Sequence, residues 1–384
     1  MDRRKAAVIS GMHFFVDLYS GFFPVYLVIA GLDPVASALI ASVSSFVSNA
    51  LQPLLGLWAD RSRGRVPVFL GILGGALCMS CIGLTRNYAL LFALVLLGKL
   101  GVALFHPAAA SISAESGGGR RELGFSIFTT IGTVGYSLSQ PAFSACTAAA
   151  GLSGSLYLAI PGALVALLYL FLLPVEVQGT GQRLSGAQIS LALRRHAREL
   201  GVLFLVMLFR QAFIMTVTFF VAKLYEEWGF GRGAYASAST IFIFAGAMSV
   251  LLTGLMPRQM EPRRMLLLSS LSALPFYAAF LGAGSAGSLA LAGVFLGVTG
   301  FLANAAHVAN VVTGQRMLPE LSSLVSGFLM GFAWAVANFG QPYAAALSGR
   351  LGFPGMLSGF VALAIFPILA AALSLLLPAR TAVR

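Results

Sequence analysis

Long apolar runs, each close to the ~20 residues that an α-helix needs to cross a bilayer, follow one another along this chain almost without pause. We read twelve of them, at 6–30, 33–57, 66–85, 88–112, 123–149, 153–174, 200–225, 232–256, 264–283, 286–312, 321–348 and 353–378. No soluble core absorbs so many such segments. With 58% hydrophobic residues, 9% charged and a mean hydropathy of +0.90, the chain is excluded from both soluble and disordered classes. A transmembrane barrel would show short alternating segments, which are not seen. Glycine and proline interrupt the runs, as membrane helices tolerate when neighbouring helices satisfy the freed backbone groups. The expectation is an all-α membrane protein with twelve transmembrane helices.

A net charge of +12 suggests nucleic acid until its placement is read. Of 24 Lys and Arg, Lys99 and Arg210 fall deep inside spans, and the other 22, in loops or at span ends, divide 18 to 4 across the twelve-helix arrangement. The minority side holds only Arg86, Lys223, Arg232 and Arg350. That bias orients both termini toward the cytoplasm, with the basic loops against anionic lipid headgroups. No basic stripe with interleaved aromatics lies outside the spans, so a nucleic-acid partner is not expected. Met1 to Lys5 opens like a signal peptide, but the apolar run continues to about Ala30 and carries His13 and Asp17. It reads as a retained first helix of a multi-pass protein of a bacterial inner membrane. Cys78 and Cys81 form a C-x-x-C in mid-helix, where thiolate formation is disfavoured, and read as small packing residues.

Ionisable side chains deep in the spans are few and ordered. His13 and Asp17 lie in the first span, Lys99 and His106 in the fourth, Arg210 in the seventh and His307 in the tenth. A charge in hydrocarbon costs about 2.5–3.5 kcal/mol on insertion scales, so such groups face a water-filled pathway or one another. A period of three helices repeated four times is how internally repeated transporters line a central cavity. His13 and Asp17, four apart, share one helix face. Asp17 is the only carboxylate deep within the spans; the other eleven acids sit in loops or near helix ends. A carboxylate whose hydration and ionic neighbours change between conformations changes its proton affinity, which makes Asp17 the candidate proton site. His13 and His106 are candidate relays, since imidazole titrates near neutrality. The competing reading is a static ion pair of Asp17 with Lys99 or Arg210. Asp17, Lys99 and Arg210 sum to +1, which favours an anionic substrate, held by a guanidinium fork at Arg210 and a point charge at Lys99. The bland alternative neutralises both cations by Asp17 and helix C-termini. Gln211 stands beside Arg210, and Asn304, His307 and Asn310 recur every three residues as one expected polar stripe on the tenth helix. The histidines lack Cys or acidic neighbours at ligand spacing, so neither a metal site nor a cofactor is expected. No phosphate-binding loop of an ATP-driven pump occurs.

The chain reads as a duplication. His106 precedes Gln140-Pro141 by 34 residues, and His307 precedes Gln341-Pro342 by the same 34. Gly56 and Arg65 have counterparts at Gly254 and Arg263, both offset by 198. The expected division is an N-terminal six-helix bundle at 1–175, a cytoplasmic linker at 176–199 and a C-terminal six-helix bundle at 200–384. Between the second and third spans, Gly56-Leu57-Trp58-Ala59-Asp60-Arg61-Ser62-Arg63-Gly64-Arg65 resembles the signature of the major facilitator superfamily, with one residue more before Gly64. Gly56 permits close helix approach, and Asp60 can accept charge-assisted bonds from a basic partner. Gly56, Asp60, Arg61 and Arg65 are therefore candidates for a conformational latch at the cytoplasmic rim. The second-half copy has Arg258 in place of Asp60.

Over about the first 130 residues, a narrower likeness emerges. Ser10–Asp17 (SGMHFFVD), Leu51–Asp60 (LQPLLGLWAD), Phe105-His106-Pro107 and Gly117–Phe128 (GGGRRELGFSIF) resemble the fosmidomycin-resistance type of exporter within that superfamily. The chain departs from it at Ala108, where an acidic residue is usual, and at Gln140, where drug antiporters carry glycine before proline. The resemblance implies a major facilitator fold of two six-helix bundles and proton antiport of a small drug or metabolite outward. Uptake of an anionic metabolite by proton symport uses the same parts. An integral membrane lipid-modifying enzyme is the less favoured class, because clustered acids at the lipid interface are missing. The expected partners are a small anionic substrate, protons and membrane lipids, with the chain acting as a monomer.

Overall fold

The computed structural model describes residues 3–61, 65–116, 121–172, 186–255, 260–318, 325 and 327–378. Every regular element among them is helical. Nine of these helical segments are long and apolar enough to cross a membrane, and Val68–Leu84 is a shorter apolar one. The remaining expected spans are helical but depart from the apolar pattern. Residues 123–149 lie in one continuous helix, rich in Ser, Thr and Gly, and 321–348 is broken into short pieces where it is described.

By its contacts the chain divides into two compact units. The first comprises Met1–Gly179 with Phe219–Phe244, the second Thr180–Thr218 with Ala245–Arg384. The first unit contains α1 (Arg3–Ser20), α2 (Phe22–Ala30), α3 (Pro34–Arg61), α4 (Arg65–Ser80), α5 (Tyr88–Ser116), α6 (Arg121–Ala150) and α7 (Ala159–Leu172). The first apolar run thus forms two helices that meet at Gly21. A Cβ at Gly21 would collide with Ser139 of α6, so only glycine allows this approach. The core of the unit gathers Ile9, Met12 and Val16 of α1, Val68 and Ile72 of α4, Phe105 and Ile112 of α5, Phe128 of α6 and Tyr169 of α7. Buried polar groups find partners around it: Tyr19 donates its hydroxyl to the Leu158 carbonyl at 2.6 Å, and Ser155 to the Ser80 carbonyl at 2.7 Å.

Two further helices, α9 (Ala197–Glu227) and α10 (Arg232–Leu255), contribute residues to both units. Within the first unit, Arg232 at the start of α10 meets the end of α6. Its Nη2 donates to the Ser144 carbonyl at 2.9 Å and to Thr147 Oγ1 at 2.6 Å, and its Nε donates to Ser144 Oγ at 3.0 Å. A guanidinium there complements the negative end of the α6 dipole.

Unit two holds α8 (Gly186–Arg195), α11 (Pro262–Ser285), α12 (Leu289–Asn304), α13 (His307–Met317), a π-helical turn at Gly327–Phe332, α14 (Ala333–Ala337), α15 (Gly340–Ala346), α16 (Gly355–Leu363) and α17 (Ile365–Ser374). Its core joins Leu203 and Val206 of α9, Leu266 of α11, Ala306, Leu329 and Ala370. Short α8 exposes Leu191 and ends on Arg194 and Arg195, an amphipathic pattern suited to a membrane surface. The last two expected spans are each divided. Pro367 supplies the reason for the α16–α17 break, because it lacks an N–H to bond the preceding turn.

Candidate functional site

Three of the predicted residues converge in the first unit. His13 and Asp17 sit one turn apart on α1, and His106 reaches them from α5. His13 Nε2 lies 3.1 Å from Asp17 Oδ2, and His106 Nε2 lies 3.4 Å from Asp17 Oδ1. The two Nε2 atoms are 3.1 Å apart. Each imidazole is fixed from behind by a backbone carbonyl. His13 Nδ1 donates to Phe128 O of α6 at 2.8 Å, and His106 Nδ1 donates to Val102 O at 2.7 Å. The His13 ring stacks on Phe128 with centroids 3.8 Å apart. Gly132, one turn along α6, leaves the room that the ring occupies, since a Cβ there would strike it. His13 is 4% exposed, whereas the side chains of His106 and Asp17 keep 32% and 18%. One edge of a buried ionic cluster is therefore open.

Asp17 thus pairs with the histidines rather than with Lys99 or Arg210. Lys99, two turns before His106 on α5, makes no hydrogen bond or ion pair among the described residues. The sequence spacing showed no metal-ligand cluster, yet folding brings the three donor atoms within 4.8 Å of one another. The signal was divided between helices 93 residues apart, which no local spacing rule detects.

A different group forms in the second unit. Arg210 of α9 is 3% exposed and donates from Nη2 to the Ala303 carbonyl at 2.6 Å, with Ser269 Oγ at 3.5 Å. Ser269 of α11 donates in turn to the Leu302 carbonyl at 2.7 Å. These two side chains satisfy carbonyls at the end of α12, where residues 305–306 interrupt the helix. The helix-terminus alternative for neutralising Arg210 therefore describes its Nη2. Its Nε and Nη1 are buried without a hydrogen-bond partner among the described residues, and Arg210 lines a cavity of about 10 Å³ with Phe213, Ser270 and Pro367, room for about one water.

The break also divides the polar stripe expected on the tenth helix between two helices. Asn304 ends α12 and bonds back to Gly300 O at 2.9 Å, while His307 and Asn310 belong to α13. Gln211 Nε2 lies 3.3 Å from His307 Nδ1, and His307 faces Trp334 at 5.9 Å between ring centroids. Asn310 is fully buried, and neither end of its amide has a hydrogen-bond partner among the described residues. Sequence reasoning missed Phe128, Ser269 and Trp334. Nothing in their local sequence distinguishes them from packing residues. Of the predicted latch, Gly56, Asp60 and Arg61 lie on the last turns of α3 and Arg65 opens α4. Residues 62–64 and these four side chains lie outside the described residues.

Long apolar helices and a buried ionic cluster within them define a multi-pass integral membrane protein built to move a solute. Its sequence matches the profile of the Major Facilitator Superfamily over residues 6–321, and the chain belongs to that family. It is a membrane transporter, not an enzyme. Among curated relatives it is similar to the fosmidomycin resistance protein of Escherichia coli (strain K12), with 26% identity over 309 residues, 79% of this chain and 75% of that protein. Its fold is similar to that of a bacterial homolog of the human lysosomal transporter Spinster in an inward-facing, occupied conformation (TM-score 0.78, 16% identity, covering 97% of this chain and 95% of that one). It is equally similar to the nucleoside transporter NupG (TM-score 0.78, 14% identity, covering 98% and 99%).

Proposed function

We propose that this transporter exports a small organic anion or drug from a bacterial cytoplasm in exchange for protons, by alternating access of two six-helix bundles at 1–175 and 200–384. The single observation that carries the proton coupling is the His13–Asp17–His106 cluster. It is a carboxylate and two imidazoles at 3.1–3.4 Å, buried on one side and open on the other. Exchangeable protons need titratable groups that a change of hydration can reach, and Asp17 and His106 retain that exposure. Outward direction and a phosphonate-like substrate rest on the likeness to a fosmidomycin resistance protein.

Lys99, a cation without a counter-ion among the described residues, is our assignment for the anionic part of the substrate. In the second unit we assign Arg210, Gln211, Asn304 and His307 to the substrate as well, and in the first unit His106. Gly56, Asp60, Arg61 and Arg65 form the cytoplasmic latch of this reading, the protein acts as a monomer, and its basic loops touch lipid headgroups. Uptake by symport is the second reading, supported by the fold shared with a D-xylose–proton symporter.

The deciding test is uptake of a labelled phosphonate antibiotic into inside-out vesicles, with and without an acid interior, for wild type and Asp17→Asn. Export by antiport requires gradient-dependent accumulation that disappears in the variant. Accumulation that persists in Asp17→Asn refutes the proton site. Accumulation driven by an acid exterior, or efflux of preloaded substrate driven by an acid interior, instead establishes symport.

A further inference from the structure

We infer that the His13–Asp17–His106 cluster is organised around one proton shared by the two imidazole Nε2 atoms, while Asp17 stays ionised as the counter-charge. This rests on the proton-coupled reading and deepens it, because it names the atoms that hold the proton.

A carbonyl oxygen only accepts hydrogen bonds. Nδ1 of His13, facing Phe128 O, and Nδ1 of His106, facing Val102 O, must therefore both carry hydrogen. A neutral imidazole has a single N–H, so two neutral rings would both direct Nε2 lone pairs inward. Those lone pairs would meet at 3.1 Å, with carboxylate oxygens 3.1 and 3.4 Å away. Three acceptors facing one another in a poorly hydrated site repel. One added proton removes the conflict: the ring that takes it donates to the other Nε2 and balances Asp17. Charge selects the same number. With one proton the cluster sums to zero, with none to −1 and with two to +1, and hydrocarbon penalises both charged states.

A divalent metal ion would also suit inward lone pairs. It would leave the cluster at +1, with three protein ligands where a closed tetrahedral site has four. The proton is therefore the better fit. Other groups around the cluster do not supply the missing donor. On α6, the Tyr136 hydroxyl makes no hydrogen bond to the three residues. On α5, Lys99 is two turns away. Facing the same core, α4 contributes apolar Val68 and Ile72, and α7 contributes Ala166 and Tyr169.

Release breaks the Nε2–H bond and passes the proton to water at the open edge, beside His106 and Asp17. The three acceptors then push α1 from α5. The His13 ring cannot retreat toward α6, where Phe128 and the Gly132 backbone confine it. Proton loss is thereby converted into loosening of the α1–α5 contact.

The test is nitrogen-15 and carbon-13 NMR of histidine-labelled, full-length protein in lipid nanodiscs. The chain has four histidines, and His13→Gln and His106→Gln assign two of the signals. At neutral pH we expect one doubly protonated ring and one ring with hydrogen only on Nδ1. At high pH both rings become Nδ1–H tautomers, the minor form of free histidine. Asp17→Asn loses the doubly protonated ring and keeps both Nδ1–H signals. A neutral Nε2–H ring at either position overturns the proposal. So does stoichiometric zinc in protein purified without chelator. If the NMR pattern holds while Asp17→Asn still accumulates substrate with the gradient, the coupling reading fails and the shared proton stands. If coupling is lost in Asp17→Asn but the pattern is absent, the proton resides on the carboxylate and this proposal alone fails.

Discussion

Gly132 sits beside the ring of His13, and its missing side chain is what lets that histidine stack on Phe128 and turn Nε2 toward Asp17. Gly132→Ala therefore acts on the ionic cluster without touching its charges. We expect overpacking to cost about 1–3 kcal/mol, read as a lowered Tm in detergent, with gradient-driven transport lost. A variant with wild-type Tm and transport would contradict the packing described for α1 and α6. The polar residues themselves were legible in the sequence, because a carboxylate or imidazole stands out in an apolar run. Their partners were not. The carbonyls of Phe128 and Val102 belong to every residue alike, and only the fold selects two of them.

Individual helices depart from their apolar patterns where side chains reach backbone. The interruption after α12 contains no proline, and Ala305 and Ala306 are good helix formers. It persists because Ser269 and Arg210 take up the carbonyls of Leu302 and Ala303. Ser269→Ala should cost about 0.6 kcal/mol, typical of such bonds within membranes, measured by unfolding in mixed micelles. For Arg210→Met two effects compete. One bond to a carbonyl is lost, but a buried cation whose Nε and Nη1 have no partner among the described residues is also removed. Replacing buried charge by well-packed apolar atoms is often neutral or stabilising by about 1–4 kcal/mol. We expect Tm to hold or rise while transport is lost. A large drop in Tm would make Arg210 a structural staple. In the first unit, Arg232→Ala removes three hydrogen bonds from the last turns of α6. Faster amide exchange over 144–150 is the expected outcome, with α1 unaffected.

The orientation of the whole molecule is a prediction of charge alone. Eighteen basic residues against four place the 176–199 segment in the cytoplasm and the loop carrying Arg86 outside. In a variant with Cys78, Cys81 and Cys146 replaced by Ser, Asn87→Cys should react with a membrane-impermeant maleimide on intact cells. Gln182→Cys should react only after permeabilisation. The reverse labelling would overturn the topology.

Sequence by itself determined that this protein is helical and membrane-embedded, because hydropathy and charge act locally and additively along the chain, and its motif at 56–65 carried the resemblance to the major facilitator superfamily that the family profile bears out. It also marked His13, Asp17, His106, Lys99 and Arg210, since ionisable groups in hydrocarbon need a reason to be there. Only the tertiary structure decided that Asp17 pairs with two histidines instead of a lysine or arginine, and that Arg210 holds the end of a broken helix. Hydrogen bonds act over about 3 Å and are directional. Which groups meet is therefore fixed by how helices distant in sequence pack, a quantity no local pattern contains.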